Sequence, residues 1–240
     1  MLSIQSEVDE LGPWITGFNF RGERYGGDYV PEKDSRLSGF VTSFRAYSDS
    51  LKREEARLRI LECGCLEGGH TIVLAQAFPD AEIIATDFRE ANLRKARFLA
   101  NLHDLKNIRW LQENLANPQH VWQENYDAIF CVGLLYHLHD PRRFLSEAAD
   151  HTRYLWLWTV ICAETDATIT EGKFRGRMLT EKTDHPLSGA EPESFLPTLG
   201  SLADMLWDSG FRSLQLLQKE LTLNNNGPCV LLEAKCQPSI

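Results

Sequence analysis

The sequence predicts an α/β fold: a mostly parallel sheet with helices on both faces. Two observations carry that reading. From residue 58 short apolar runs alternate with amphipathic stretches of helical length, and the alternation closes with two neighbouring strand-like runs. A third is the glycine-rich stretch directly after the first apolar run, where such folds place a ligand loop.

RLRILEC, AEIIATD, NIRWL, YDAIFCV and YLWLWTV read as the first five strands. HTIVLAQAF, stopped by Pro79, and REANLRKARFLANLH read as connecting helices. DPRRFLSEAADH opens with Asp140 as N-cap and Pro141 at the first helical position, a strong helix start. SLADMLWDSG offers Ser201 as cap, Asp204 three residues later and Gly210 as the stop. SLQLLQKEL and CVLLEAK are separated by NNNGP, residues 224–228, which is too short for a crossover helix. The last two strands are therefore expected to be antiparallel neighbours.

Two regions break the alternation. Residues 1–57 hold GERYGGDYVP and then LSGFVTSFRAYSDSLKREE, a helical pattern with one apolar face. Trp14, Phe18, Phe20, Tyr25 and Tyr29 either close this segment over a ligand as a cap or anchor it on the core. Residues 163–200 are polar and punctuated by Pro and Gly; connections of that length are lids, binding loops or disordered segments. The expected division is an N-terminal cap segment, 1–57, and a core, 58–240, with a substrate-covering insertion at about 163–200.

The 240 residues suffice for one sizeable core, and 43% hydrophobic against 25% charged residues is ordinary globular composition. A formal charge of -9 gives no general attraction to nucleic acid or anionic lipid. The acidic N-terminus lacks the basic start and apolar run of a secretory signal. The apolar stretches near IFCVGLLY and LWLWTVICA fall short of the roughly 18 residues a membrane helix needs. A cytoplasmic protein is expected. Its cysteines, at 63, 65, 131, 162, 229 and 236, form no CxxC pair, a scatter that fits small core residues in a reducing compartment and no metal site.

The loop itself reads LECGCLEGGHT, residues 61–71. A dinucleotide loop, GxGxxG, needs glycine at its second glycine position so that pyrophosphate can approach the backbone; counted from Gly64, that position is Leu66. Asp87 ends the second strand, where a carboxylate can accept hydrogen bonds from a ribose, a feature shared by NAD and S-adenosylmethionine.

ECGCLEGGHT, then TDFR at 86–89, QEN at 112–114 and CVGLLYHLHDPR at 131–142 together resemble the motif series of the class I S-adenosylmethionine-dependent methyltransferases. The resemblance covers about residues 58–235 and implies a Rossmann-like methyltransferase fold with a seven-stranded mixed sheet of order 3-2-1-4-5-7-6. It implies S-adenosyl-L-methionine as cofactor. Glu62 would orient the glycine loop, Gly64 and Gly68 would face the methionine part, Asp87 would bind ribose and Phe88 would lie near adenine. Asn114 stands where the family usually has Asp and would receive the adenine amino group; Leu115 and Gly133 complete the assigned cofactor positions. Leu66 departs from the commonest GxGxG form of this loop.

Methyl transfer is an in-line displacement, so the protein must position a nucleophile, exclude water and take up a proton. His137, just past the fourth strand, suits a general base by its ordinary pKa, or else closes the turn through backbone hydrogen bonds; His139 is the weaker candidate. Trp158 and Thr159, at the end of the fifth strand, are expected to face the same cleft, and Arg175 and Arg177 of the insertion to hold a carboxylate or phosphate of the substrate.

The leading expectation is methyl transfer to oxygen or nitrogen of a small-molecule metabolite, with nucleic acid and membrane disfavoured as partners and a homodimer compatible with the sequence. Alternatives are an NAD-dependent oxidoreductase, which Asp87 permits and Leu66 opposes, a methyltransferase of RNA or protein, and a non-catalytic descendant that binds a partner.

Overall fold

A computed structural model describes residues 3–50, 57–182, 185–220 and 227–236. The chain divides into two compact units, Met1–Gln112 and Glu113–Ile240.

The first unit begins with helix α1 (Ile4–Glu10), the hairpin β1 (Gly17–Phe20) and β2 (Glu23–Gly26), and helix α2 (Ser35–Ser50). Strand β3 (Arg59–Cys63), helix α3 (Gly69–Ala77), β4 (Glu82–Asp87), α4 (Glu90–Leu102) and β5 (Ile108–Gln112) follow. The three strands pair in parallel, with Cys63 opposite Thr86 and Asp87 opposite Gln112. Leu37, Phe40 and Phe44 recur at helical spacing on one face of α2 and are buried against Phe78, with Phe44 and Phe78 ring centroids 5.6 Å apart. The last part of the expected helix, residues 51–55, lies outside the described residues.

The second unit holds β6 (Ala128–Val132), α5 (Pro141–His151), β7 (Tyr154–Val160), β8 (Ile169–Glu171), β9 (Phe174–Thr180), β10 (Glu193–Pro197), α6 (Leu199–Ser209), β11 (Phe211–Glu220) and β12 (Cys229–Cys236). β6 and β7 pair in parallel, while β12 lies antiparallel to both β7 and β11. The expected terminal hairpin is thus present, although residues 221–226 of its turn lie outside the described residues. Every residue of β7 is buried, which accounts for its uninterrupted apolar run.

The main sheet is seven-stranded and mixed, in the order β11-β12-β7-β6-β3-β4-β5. This is the expected 3-2-1-4-5-7-6 order read from the other edge. Among the described residues no helix is long and apolar enough to cross a membrane.

The insertion is more ordered than its composition implied. β8, β9 and β10 form a separate antiparallel sheet, and Thr198 and Cys162 at its base form a bridge. Gly176 permits this packing: a Cβ there would lie 2.2 Å from the Leu196 carbonyl oxygen.

The expected caps fare differently. Asp140 caps α5 by accepting the Arg143 amide at 3.1 Å, and Gly210 ends α6 at φ 116°. Ser201 is not the N-cap of α6; Thr198 is, its hydroxyl accepting the Ser201 amide at 3.3 Å. The helix starts earlier because Leu199 and Gly200 already have helical backbone, which the polar Ser-Leu-Ala-Asp pattern concealed. Thr198→Ala is expected to cost about 1 kcal/mol in a urea titration, whereas Asp204→Ala stays within about 0.5 kcal/mol.

Candidate functional site

In the first unit the glycine loop leaves β3 and turns back into α3. Gly64 and Gly68 both have positive φ, 76° and 81°, and Leu66 between them sits at φ 50°. A Cβ on Gly68 would lie 2.7 Å from the Ala96 Cβ, so glycine is needed there for close helix packing as well as for the turn. Leu66 lacks that freedom, and its conformation is held from outside: its amide donates to Asp87 Oδ2 at 3.0 Å.

Asp87, 7% exposed, also accepts the Arg89 amide at 2.8 Å and the Asn92 amide group at 3.1 Å, both on Oδ1. Oδ2 therefore carries one protein donor and has acceptor capacity left. Burial raises the Asp87 pKa and outweighs these hydrogen bonds. Phe88 is half-buried, its ring 4.0 Å from the Arg89 guanidinium carbon.

Glu62 is 2% exposed at the end of β3 and accepts the Thr71 hydroxyl at 2.6 Å, joining strand to helix across the loop. Burial raises its pKa, with His70 and Thr71 acting in the opposite direction.

Two clusters of buried charge here have no sequence signal, one around Glu67 and one around Asp34. Glu67, 2% exposed, accepts the Ile15 and Thr16 amides at 2.9 and 2.7 Å on one oxygen and Lys95 Nζ at 2.7 Å on the other. Lys95 also donates to the Pro13 carbonyl. These contacts tie residues 13–16 to the loop, and Thr16 and Pro31 lie close enough to Gly69 that a Cβ there would meet both within 3.0 Å. Trp14, Phe18, Phe20 and Tyr25 pack with Phe98, Leu102 and Trp110, so they anchor the segment. Tyr29 does something else: its hydroxyl meets Asp34 Oδ2 and His70 Nε2, each at 2.5 Å, and Arg36 pairs with the same Asp34 oxygen. Although burial opposes it, hydrogen bonding from His70, Arg36 and Tyr29 holds the Asp34 carboxyl well below the usual range, and burial pushes the Tyr29 hydroxyl up.

In the second unit Asn114 is exposed, and its side-chain oxygen accepts the Ala116 amide at 3.0 Å; Leu115 beside it is buried. Gly133 has φ 95°, and a Cβ there would find only the Tyr136 hydroxyl, 3.9 Å away, so the position is roomy. The 3-10 turn Leu135–His137 sets Tyr136 against His137, ring centroids 4.1 Å apart, and edge-on to Trp158 at 5.9 Å.

His137 does more than close this turn. Its Nδ1 lies 2.8 Å from Oε1 of Glu181, with the two side chains 14% and 5% exposed. Glu181 also accepts the Ser194 hydroxyl at 3.2 Å, and Gly189 packs against His137 so closely that a Cβ would sit 2.9 Å from the His137 Cβ. The insertion is thereby fastened to the histidine. His139, by contrast, is exposed and engages Glu191 only through its backbone amide, at 2.9 Å.

The expected pair at the end of β7 is split. Trp158 is 8% exposed beside Tyr136, but Thr159 is fully buried, with its hydroxyl 3.1 Å from the Val160 carbonyl. Neighbouring strand residues point to opposite sides of a sheet, so the two cannot front one cleft. Arg175 and Arg177 also differ. Arg175 is exposed and pairs with Glu164 at 3.0 Å, whereas Arg177 is half-buried.

The methyltransferase domain family model matches residues 60–154. An uncharacterised protein, syc1184_c, of Synechococcus sp. is 37% identical over 94 residues; the match takes in 39% of this chain but spans only about a fifth, 22%, of that relative's length. The N-terminal domain of EvdMO1, solved in the presence of S-adenosylhomocysteine (SAH) and D-fucose, is 26% identical with a TM-score of 0.81, covering 98% of this chain and 96% of that one. Residues 60–154 thus match a methyltransferase domain, and the similarity to the EvdMO1 domain extends over nearly the whole chain. Magnesium protoporphyrin IX methyltransferase (ChlM) from Synechocystis PCC 6803, solved with SAH, shares the fold at 17% identity and a TM-score of 0.56, covering 84% of this chain and 82% of that one.

Two outcomes test the geometry of the first unit. Glu67→Ala strands two amides and the Lys95 charge and is expected to cost about 3 kcal/mol, with faster hydrogen exchange at Ile15 and Thr16. Asp34 has a depressed folded-state pKa, so its contribution is fully present above about pH 4, the unfolded value, and is lost as pH falls through the folded one. The stability deficit of Asp34→Asn against the parent, on the order of 2 kcal/mol in urea titrations at pH 6, should shrink as pH is lowered below 4.

Proposed function

We propose that the protein transfers a methyl group from S-adenosylmethionine to an oxygen or nitrogen of a small-molecule metabolite, with His137 as general base. The observation that carries the reading is the 2.8 Å contact between His137 Nδ1 and the buried Glu181 carboxylate.

The residues suit the donor. The positive-φ glycines of the loop let backbone approach a ligand, Asp87 Oδ2 retains a lone pair for a ribose hydroxyl, and Gly133 leaves room beside Tyr136. In this reading Glu62, Gly64 and Gly68 hold the methionine part, Asp87 the ribose, and Phe88, Asn114 and Leu115 the adenine. The anchored segment 13–36 covers the loop. S-adenosylmethionine supplies the methyl group as an electrophile and leaves as S-adenosylhomocysteine.

The remaining work is done by the protein. With Nδ1–H donated to Glu181, the neutral imidazole carries its basic lone pair on Nε2, which takes the acceptor's proton as the new bond to carbon forms. The imidazolium that results is paired with the Glu181 carboxylate. Trp158 and Tyr136 supply an aromatic wall that positions the acceptor and excludes water. EvdMO1 was solved with D-fucose, a polyhydroxylated molecule, which supports a hydroxyl acceptor.

Calorimetric titration is expected to detect SAH and not NAD; the reverse result sinks the proposal. Asp87→Ala should weaken SAH binding by at least about tenfold, because it removes a ribose acceptor and releases the Leu66 amide together. His137→Ala should lower kcat by about 10²- to 10⁴-fold with SAH affinity intact. The acid limb of the kcat–pH profile should vanish in His137→Ala and be displaced in Glu181→Gln; an unmoved profile in both would remove the base role.

A further inference from the structure

Strand β9 presents two faces of different character. Phe174 lies on one, buried beneath the Arg142 guanidinium of α5. Side chains alternate along a strand, so Arg175 and Arg177 share the other, and Glu181 follows directly after the strand's last residue, Thr180. The contacts agree: Arg175 reaches Glu164 in the segment after β7, and Glu181 reaches His137. Arg177 belongs to the same group, since its charge lowers the pKa of the Cys162 thiol at the start of that segment, against the larger, raising effect of burial.

The arginines on this face are not equivalent. The Arg175 guanidinium is neutralised by Glu164 and exposed, as usual for a surface pair. Among the described residues the Arg177 side chain has no hydrogen bond and no ion pair, yet it is half-buried. Withdrawing a guanidinium from water without a partner is unfavourable, and an oxyanion held in two parallel hydrogen bonds is the ligand its planar fork fits best.

We propose that Arg177 is a specificity residue that binds an oxyanion, a carboxylate or phosphate, carried by the acceptor molecule. The inference rests on the methyltransferase reading with His137 as base. It adds a length: Arg177 on β9 and Glu181 just past its end are four residues apart, about 13 Å in extended chain. The anionic group therefore sits at the far end of the acceptor from the atom that is methylated. A negatively charged acceptor is bound by one positive group on a chain of formal charge -9, so the site selects against the protein's own field and the selection depends on that single residue.

The test uses the full chain and phenylglyoxal, which modifies arginine, with peptide mass spectrometry as readout. Inorganic phosphate and acetate, each at constant ionic strength set with sodium chloride, distinguish the two sources of oxyanion. The expected result is slower modification of Arg177 in one of them, with other arginines unaffected and the protection retained in Arg175→Met. With the favoured anion placed on a hexose, as the 1-phosphate or the uronate, Arg177→Met should raise the dissociation constant measured calorimetrically in the presence of SAH by about 10- to 100-fold, and Arg177→Lys by less. Equal modification of Arg177 with and without either anion overturns the proposal, as does general protection of all arginines. Absence of SAH binding would instead defeat the methyltransferase reading and leave the protection result standing by itself.

Discussion

The one strained side-chain-bearing residue of the glycine loop, Leu66, is held by a hydrogen bond from its amide to the Asp87 carboxylate at 3.0 Å. An L-residue with a side chain at φ 50° is strained by roughly 1–2 kcal/mol, and nothing in Leu66 itself offsets that cost. A charge-assisted bond to a buried carboxylate is of the size required. Because Asp87 also gathers the Arg89 amide and the Asn92 side chain, one residue at the end of β4 fixes the turn after β3, the start of α4 and the acceptor atoms left for a ligand. Glu62 and Thr71 close the other side of the loop.

A second layer of buried charge sits behind this loop. Glu67 and Lys95 hold the N-terminal segment, and Asp34 gathers Tyr29, Arg36 and His70. In each cluster the carboxylate is satisfied several times over, which is what allows a charge to remain buried near the start of α3. The aromatic packing of Trp14, Phe18 and Phe98 supplies apolar cover, while the carboxylates set register.

The main sheet was legible because its signals are local: apolar runs of strand length, Pro141 and Gly210 at helix ends, and a terminal pair of strands too close for a crossover. The loop was legible as a motif, since Gly64, Gly68 and Asp87 keep fixed spacing. What escaped was set by distant partners. Glu181 meets His137 across 44 positions and Glu67 meets Ile15 across 52, and neither contact leaves a periodicity to find. The insertion was read as irregular because it is punctuated by Pro and Gly and because β8 and β9 bury only Phe174 and Gly176, which leaves their patterning polar. Thr159 was misplaced for a simpler reason: two neighbours in a strand were put on the same side.

The insertion supplies the partner of His137 from the residue directly after β9, the strand that carries Arg177. On the proposed reading, a residue that selects the acceptor and one that tunes the proton acceptor are encoded in one stretch of sequence. On that reading, divergence of this stretch would alter recognition and proton uptake in a single evolutionary step, without disturbing the glycine loop.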